Sequence, residues 1–203
     1  MIDLKNINYS YNSTQILDNY SLSIKEEGIT VISGPNGSGK TTLLKILSKI
    51  IEPDSGAIII KDKNLYDNLG FVFQRPILLK RSVYGNLSYI LNQTKLSSEE
   101  VKSLINEYLS KFLNMRQNIS DFLEKNIFEL SGGEQQLVSL VRTFITRPNI
   151  LFLDEPFTNL DDSYCNSLAD LISNISSINK CKIIMVTHKH DIAKKLTSDI
   201  IHL

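Results

Sequence analysis

At the start of the chain, apolar positions alternate with polar ones instead of recurring at helical spacing. Ile2, Leu4 and Ile7, then Ile16, Leu17, Leu22 and Ile24, are separated mostly by Asn, Ser and other polar residues. This predicts two or three short antiparallel strands with one buried face. Gly28-Ile29-Thr30-Val31-Ile32-Ser33 follows as an apolar run, and Leu43 to Ile51 changes to a helical pattern. Pro53-Asp54-Ser55-Gly56 predicts a turn, Ala57 to Ile60 a strand, and Gly70-Phe71-Val72-Phe73 a short strand ending on Gln74. From Ser97 to Met115, Val101, Leu104, Ile105, Tyr108, Leu109, Phe112 and Leu113 recur on one helical face, with Ser97 and Glu100 spaced as a capping box. Beyond lie a helix from about Gly133 to Ile145, an apolar strand Ile150–Leu153, a helix around Cys165 to Ile175, and the strand Lys182–Val186. Strands that are apolar throughout belong in a parallel sheet covered on both faces. The pattern therefore predicts an α/β fold with a mostly parallel sheet and an N-terminal antiparallel β part. The span from about Pro76 to Asn126 is too long for an ordinary crossover helix, so an inserted α-helical subdomain is expected at 76–126 within one domain covering 1–203.

Composition adds exclusions more than identifications. With 22 basic and 22 acidic residues the formal net charge is +0, which gives no electrostatic case for nucleic acid as a partner. Cys165 and Cys181 are isolated, without CxxC spacing or a nearby His at ligand spacing. Buried structural thiols in a reducing compartment are expected. Met1-Ile2-Asp3-Leu4-Lys5 lacks the layout of a signal peptide, and no run approaches the ~18 apolar residues of a membrane span. A soluble, cytosolic chain is expected, with any membrane role supplied by a separate partner.

Candidate chemistry begins between the apolar run and the first helix. Gly34-Pro35-Asn36-Gly37-Ser38-Gly39-Lys40-Thr41-Thr42 has the spacing GxxxxGK(S/T) between a strand and a helix. Gly34, Gly37 and Gly39 let the backbone curl so that successive N–H groups point at the β- and γ-phosphates of a nucleoside triphosphate. Lys40 adds a point charge, the helix start adds its dipole, and the Thr41 hydroxyl is placed to ligate Mg²⁺. Asn36, Ser38 and Thr42 complete the binding run. A second site follows the strand Ile150-Leu151-Phe152-Leu153, which ends in Asp154-Glu155-Pro156. At the carboxyl end of a strand beside a phosphate loop, Asp154 is suited to hold the Mg²⁺ shell and Glu155 to orient or deprotonate the attacking water.

Leu130-Ser131-Gly132-Gly133-Glu134-Gln135-Gln136 opens a helix just before that strand. A Ser and two glycines at a helix N-terminus make a further anion cradle, without a lysine. With these residues the chain resembles the nucleotide-binding subunit of an ATP-binding cassette (ABC) transporter, over essentially its whole length and with the motifs in family order. The resemblance implies that Ser131, Gly132 and Gly133 close over the γ-phosphate of ATP bound on a second copy, so that a homodimer sandwiches two ATP molecules head to tail. It further implies that Tyr11 stacks on adenine, with Tyr9 as the rival. By the same resemblance Gln74 touches Mg²⁺ and the water, Asp161 in Asn159-Leu160-Asp161 communicates across the dimer, and His188 in Val186-Thr187-His188 contacts the γ-phosphate. His190 is expected to be solvated. Leu137 departs from the basic residue often found there, which weakens at most a surface or interface contact.

The implied partners are integral membrane permease subunits, contacting the region Gln74 to Val83, and an extracytoplasmic substrate-binding protein. The implied place is the inner face of the cell membrane. The chain stops soon after Ile200-Ile201-His202-Leu203, so no C-terminal regulatory domain is expected. The stretch Phe71 to Val83 is similar to bacterial oxyanion importers, tungstate systems especially, with amino-acid import and small-molecule export as alternatives. A soluble ABC protein acting on ribosomes or DNA and a P-loop small-molecule kinase are the competing readings. ATP-dependent dimerisation separates the kinase from the others.

Overall fold

The computed structural model describes residues 1–91, 96–112, 118–158, 160–178 and 180–203. Leu113, Met115 and Asn159, named above, lie outside the described residues. Strands β1 (Ile2–Tyr11) and β2 (Thr14–Ile24) form a hairpin that is longer than the short strands the sequence pattern predicts, and there are two of them. Asn12 and Ser13, at φ 47° and 64°, make the two-residue turn between Tyr11 and Thr14. Two positive φ values match the twist that a tight hairpin needs. Register shifts in β1 coincide with Asn6 and Asn19 at positive φ, and the two side chains bond each other at 2.7 Å.

Strand β3 (Ile29–Ser33) leads through the glycine loop into α1 (Lys40–Leu47), and β4 (Ser55–Ile60) returns to pair antiparallel with β1. Ser55 and Gly56 are therefore strand residues and not part of a turn. Helix α1 ends earlier than its apolar pattern suggests. Ser48 caps it, Lys49 takes φ 59°, and Ile50 and Ile51 fall beyond it. After a short 3-10 turn at Lys63–Tyr66, β5 (Leu69–Val72) stops one residue short of the predicted strand end, so Gln74 lies in the loop that follows. Helices α2 (Val83–Leu91), α3 (Ser98–Phe112) and α4 (Ile119–Glu124) come next. The Ser97–Glu100 capping box at the start of α3 forms in both directions.

Helix α5 (Gly132–Phe144), β6 (Ile150–Asp154), α6 (Asp162–Ile178), β7 (Lys182–Val186), α7 (His190–Leu196) and β8 (Ile200–His202) complete the chain. The large sheet has the order β5-β6-β7-β3-β8 and is parallel in every pairing, and the small one has the order β2-β1-β4. Strand alternation sorts the large sheet's two faces. Val31, Leu151, Leu153, Ile183 and Met185 join a core with helices α2 to α6. Ile32, Ile150, Phe152, Ile184 and Val186 join a second core with α1 and the antiparallel sheet. Residues that alternate along β6 thus serve opposite layers, which is why its sequence is apolar throughout. No helix among the described residues is long and apolar enough to cross a membrane. Both cysteines are buried and unpaired.

Candidate functional site

The carboxyl ends of four parallel strands bring together segments far apart in sequence. Val72 is in register with Leu153, and Val186 with both Asp154 and Ile32. The residues just beyond these, Gln74, Glu155, His188 and Gly34, consequently sit along one edge of the sheet. This is where open parallel sheets hold ligands. Gln74 is exposed there.

In the glycine loop, Gly39 has φ 94°, and a Cβ on it would lie 2.9 Å from Ile16 Cγ2 of β2. Glycine alone fits both the backbone angle and the close approach of the hairpin. Lys40 is 8% exposed, and its Nζ donates to the carbonyls of Gly34 at 2.9 Å and Pro35 at 2.6 Å. The N–H groups of Lys40, Thr41 and Thr42 open α1 and have no acceptor within the helix. With the helix dipole they make this end electropositive. Ser38 Oγ is buried and has no hydrogen-bond partner among the described residues, so a donor inside the loop is left for a ligand oxygen. Asn36 and Gly37 are exposed at the loop's rim.

Thr41 Oγ1 donates to Asp154 Oδ1 at 2.9 Å, joining residues 113 positions apart. Burial raises the Asp154 carboxyl above the usual carboxylate range, opposed by the Thr41 hydroxyl and by the charges of Lys45 and Lys40, and reinforced by Glu155. Glu155 takes φ 48° and is 8% exposed. A bulky residue held at positive φ is unusual. Its N–H donates to Val186 O at 2.9 Å, and its Oε2 accepts from the His188 N–H at 3.3 Å and pairs with His188 Nδ1 at 2.8 Å. The two residues form one unit, a pairing that the linear sequence does not disclose.

Ser131, Gly132, Gly133 and Asp161 lie together elsewhere. They line a cavity of about 580 Å³ with Glu134, Leu137, Leu160 and Tyr164, and none of the loop residues 34–42 is among its lining. Ser131 caps α5, its Oγ accepting from the Glu134 N–H at 3.3 Å while Glu134 Oε2 accepts from the Ser131 N–H at 2.8 Å. Leu137 is 5% exposed and belongs to this lining. Asp161 Oδ1 accepts from the Tyr164 N–H at 2.9 Å. Tyr11 stands at the hairpin tip, 63% exposed, while Tyr9 packs against the second core. Of the two tyrosines, Tyr11 is the more exposed. His190 is exposed, as expected.

Residues 17–158 match the model of the family described as "ABC transporter". A tungstate uptake ATP-binding protein of Peptoclostridium acidaminophilum is 33% identical, the match covering 100% of this chain and 94% of the relative. A zinc import ATP-binding protein of Wigglesworthia glossinidia brevipalpis is 36% identical, covering 100% of this chain and 82% of the relative. A solved dimeric structure of a bacterial ABC transporter cassette superposes with a TM-score of 0.86 at 29% identity, covering 100% of this chain and 94% of that one. The same cassette in a dimeric post-hydrolysis state bound to ADP and Pi gives a TM-score of 0.84 at 27% identity, covering 99% and 96%. The phosphate loop, the carboxylates at the sheet edge and the whole-chain match lead to one conclusion: this chain belongs to the ABC transporter family, as one of its ATP-binding ATPase domains.

Proposed function

We propose that this chain powers transport by a separate membrane permease, two copies binding two ATP molecules head to tail between them at the inner face of the membrane. The carrying observation is that one chain holds two glycine-rich helix starts apart from each other: residues 34–42, beside Lys40 and Asp154, and residues 131–133, on a cavity whose lining includes no lysine and none of residues 34–42. A cradle without its own lysine is completed when a second chain brings a bound nucleotide to it.

In this reading the N–H groups of the loop, Ser38 Oγ and Lys40 hold the triphosphate, and Tyr11 stacks on the adenine. Thr41, Asp154 and Gln74 would hold Mg²⁺, which would supply charge neutralisation on the phosphates. Thr41 Oγ1 and Asp154 Oδ1, 2.9 Å apart, are the hard oxygen donors that Mg²⁺ takes. Glu155 accepts the proton of the water that attacks the γ-phosphate in line, and His188, held by Glu155, contacts the γ-phosphate. The partner copy's Ser131, Gly132 and Gly133 complete the charge stabilisation. The helices between 76 and 126 form a lobe that meets the permease near Gln74 to Val83. Import of an oxyanion such as tungstate, delivered by an extracytoplasmic binding protein, is the proposed cargo route. The likeness to a tungstate uptake protein over the whole chain supports it.

Glu155→Gln is expected to keep ATP binding and lower turnover by about 10²–10⁴-fold. Affinity purification of that variant with MgATP from gently solubilised native membranes should bring down a multi-span permease. Near-normal turnover removes Glu155 from its role. Recovery of soluble machinery alone moves the chain to a non-transport ABC ATPase.

A further inference from the structure

A contact that the roles above leave unused ties the segment after β7 to the first turn of α6. Cys165 sits in the first turn of α6 and is 2% exposed. Lys189, the residue after His188, donates from Nζ to Cys165 Sγ at 3.0 Å across 24 positions of sequence. The same sulfur lies 3.6 Å from the Leu160 carbonyl oxygen and 3.9 Å from that of Phe157, so the thiol accepts from the ammonium and donates toward the turn before α6. That turn presents Leu160 and Asp161 to the cavity beside Ser131.

Neither helix depends on this contact to close its first turn. The Cys165 N–H donates to Asp161 O at 2.9 Å and the Ala193 N–H to Lys189 O at 3.0 Å. Ordering a long lysine side chain for one bond to sulfur adds little net stability. What the contact does is fix a distance. On one side, Lys189 is covalently next to His188, whose ring and N–H are both tied to Glu155. On the other, the sulfur abuts the carbonyl of Leu160, next to Asp161. A shift of His188 would therefore carry Lys189 with it and bear on Leu160 and Asp161 through the thiol.

We propose that Lys189 is a positioning residue which, through Cys165, couples the Glu155–His188 pair to the Leu160–Asp161 turn, and so couples the two ATP sites of a dimer. This rests on the paired-copy reading above. Because coupling between two sites is reciprocal, the turn in contact with one nucleotide biases His188 at the other.

The test is ATP hydrolysis against ATP concentration for the wild type, Lys189→Met, Cys165→Ala, the double variant and Lys189→Arg, with ATP-driven dimerisation of Glu155→Gln measured in parallel. Lys189→Met keeps the length of the stem, and thermal unfolding of each variant checks that the fold is intact. Wild type should be cooperative, with a Hill coefficient approaching about 2, the number of sites. In Lys189→Met it should fall to about 1, with kcat reduced roughly 5-fold or more, while ATP affinity of the monomer is unchanged. Cys165→Ala should behave alike, the double variant no worse than either single one, and Lys189→Arg close to wild type. Wild-type cooperativity in a folded Lys189→Met, additive losses in the double variant, or a non-cooperative wild type that still dimerises each overturns the coupling alone. Absence of ATP-driven dimerisation in Glu155→Gln overturns the paired-copy reading and the inference with it.

Discussion

Lys182 shows how a charged residue enters an apolar strand. It opens β7 with no exposed surface, and its Nζ donates to Glu27 O at 3.1 Å and to Thr30 Oγ1 at 2.7 Å. Thr30 Oγ1 in turn donates to Asp199 Oδ2 at 2.6 Å. Desolvation pushes the ammonium down to about 8 from 10.5, against the opposing pull of Asp199. Below pH 8 the folded protein keeps a buried charge that the unfolded chain solvates freely, and above pH 10.5 both states are neutral. This group therefore makes stability rise with pH across that window, and the gain is lost as pH falls through 8. Lys182→Met should flatten the rise, so that denaturant unfolding of variant and wild type between pH 7.5 and 10.5 (about the same window) gives curves of different slope. Parallel curves would mean that Lys182 does not titrate there. Sequence discloses such residues unevenly. Lys40, Thr41 and Asp154 are legible because each follows an apolar run at a fixed spacing. The Glu155–His188 and Lys189–Cys165 contacts span 33 and 24 positions and exist only through the register of β6 with β7 and the packing of α6, which no local pattern encodes.

Among the elements, α2 carries a device for holding the loop after Gln74 in shape. Asn86 has no exposed surface, its Oδ1 accepts from the Leu79 N–H at 2.8 Å, and its Nδ2 donates to the carbonyls of Leu79 and Ser82 at 3.0 Å each. A loop without regular secondary structure takes hydrogen bonds from helix side chains, from Asn86 here and from Arg142 of α5, which donates to Ile77 O at 2.6 Å. The Ser82–Asn126 bridge and the Val83 N–H to Lys125 O bond tie its far end to the segment after α4. Asn86→Ala strands these groups and should destabilise the protein by about 1–3 kcal/mol. It should also speed hydrogen exchange at the Leu79 amide by about tenfold or more relative to β6 amides. Unchanged exchange at Leu79 would show that the loop holds its shape unaided. Elements were legible in proportion to their length and regularity. The capping box placed α3, and unbroken apolar runs placed β6 and β7. Helix α7 and strand β8, of 7 and 3 residues, are too short to show a period. Helix α1 is shorter than its pattern predicts because Ile50 and Ile51 continue the apolar spacing after Lys49 has turned the chain at φ 59°.

For the whole molecule, the question is whether each ATP site is built from two copies. Gly132 offers a clean probe, since a Cβ there meets nothing within 4 Å, and Asp at the first position of a helix is well tolerated. Gly132→Asp should fold normally and bind ATP at its own loop, yet place a carboxylate where the proposed head-to-tail pairing docks the other copy's γ-phosphate. Lys40→Ala has the reverse defect, losing the loop's charge while keeping Ser131 to Gly133 intact. Each variant alone has two dead sites in every dimer. Mixed dimers have one site with both defects and one with neither, because a head-to-tail arrangement pairs the loop of one copy with the cradle of the other. Random mixing makes about half of the dimers mixed, so about a quarter of the sites regain both intact halves. ATPase activity that appears on mixing two inactive proteins, and vanishes when the mixture is diluted below its dimerisation range, follows from composite sites. If the wild type hydrolyses ATP without cooperativity, a mixture as inactive as its components would mean that each chain must hydrolyse ATP with its own residues, and the cavity beside Ser131 would lose its place in the reaction; with cooperative sites, the readout is ATP-driven formation of mixed dimers instead of turnover.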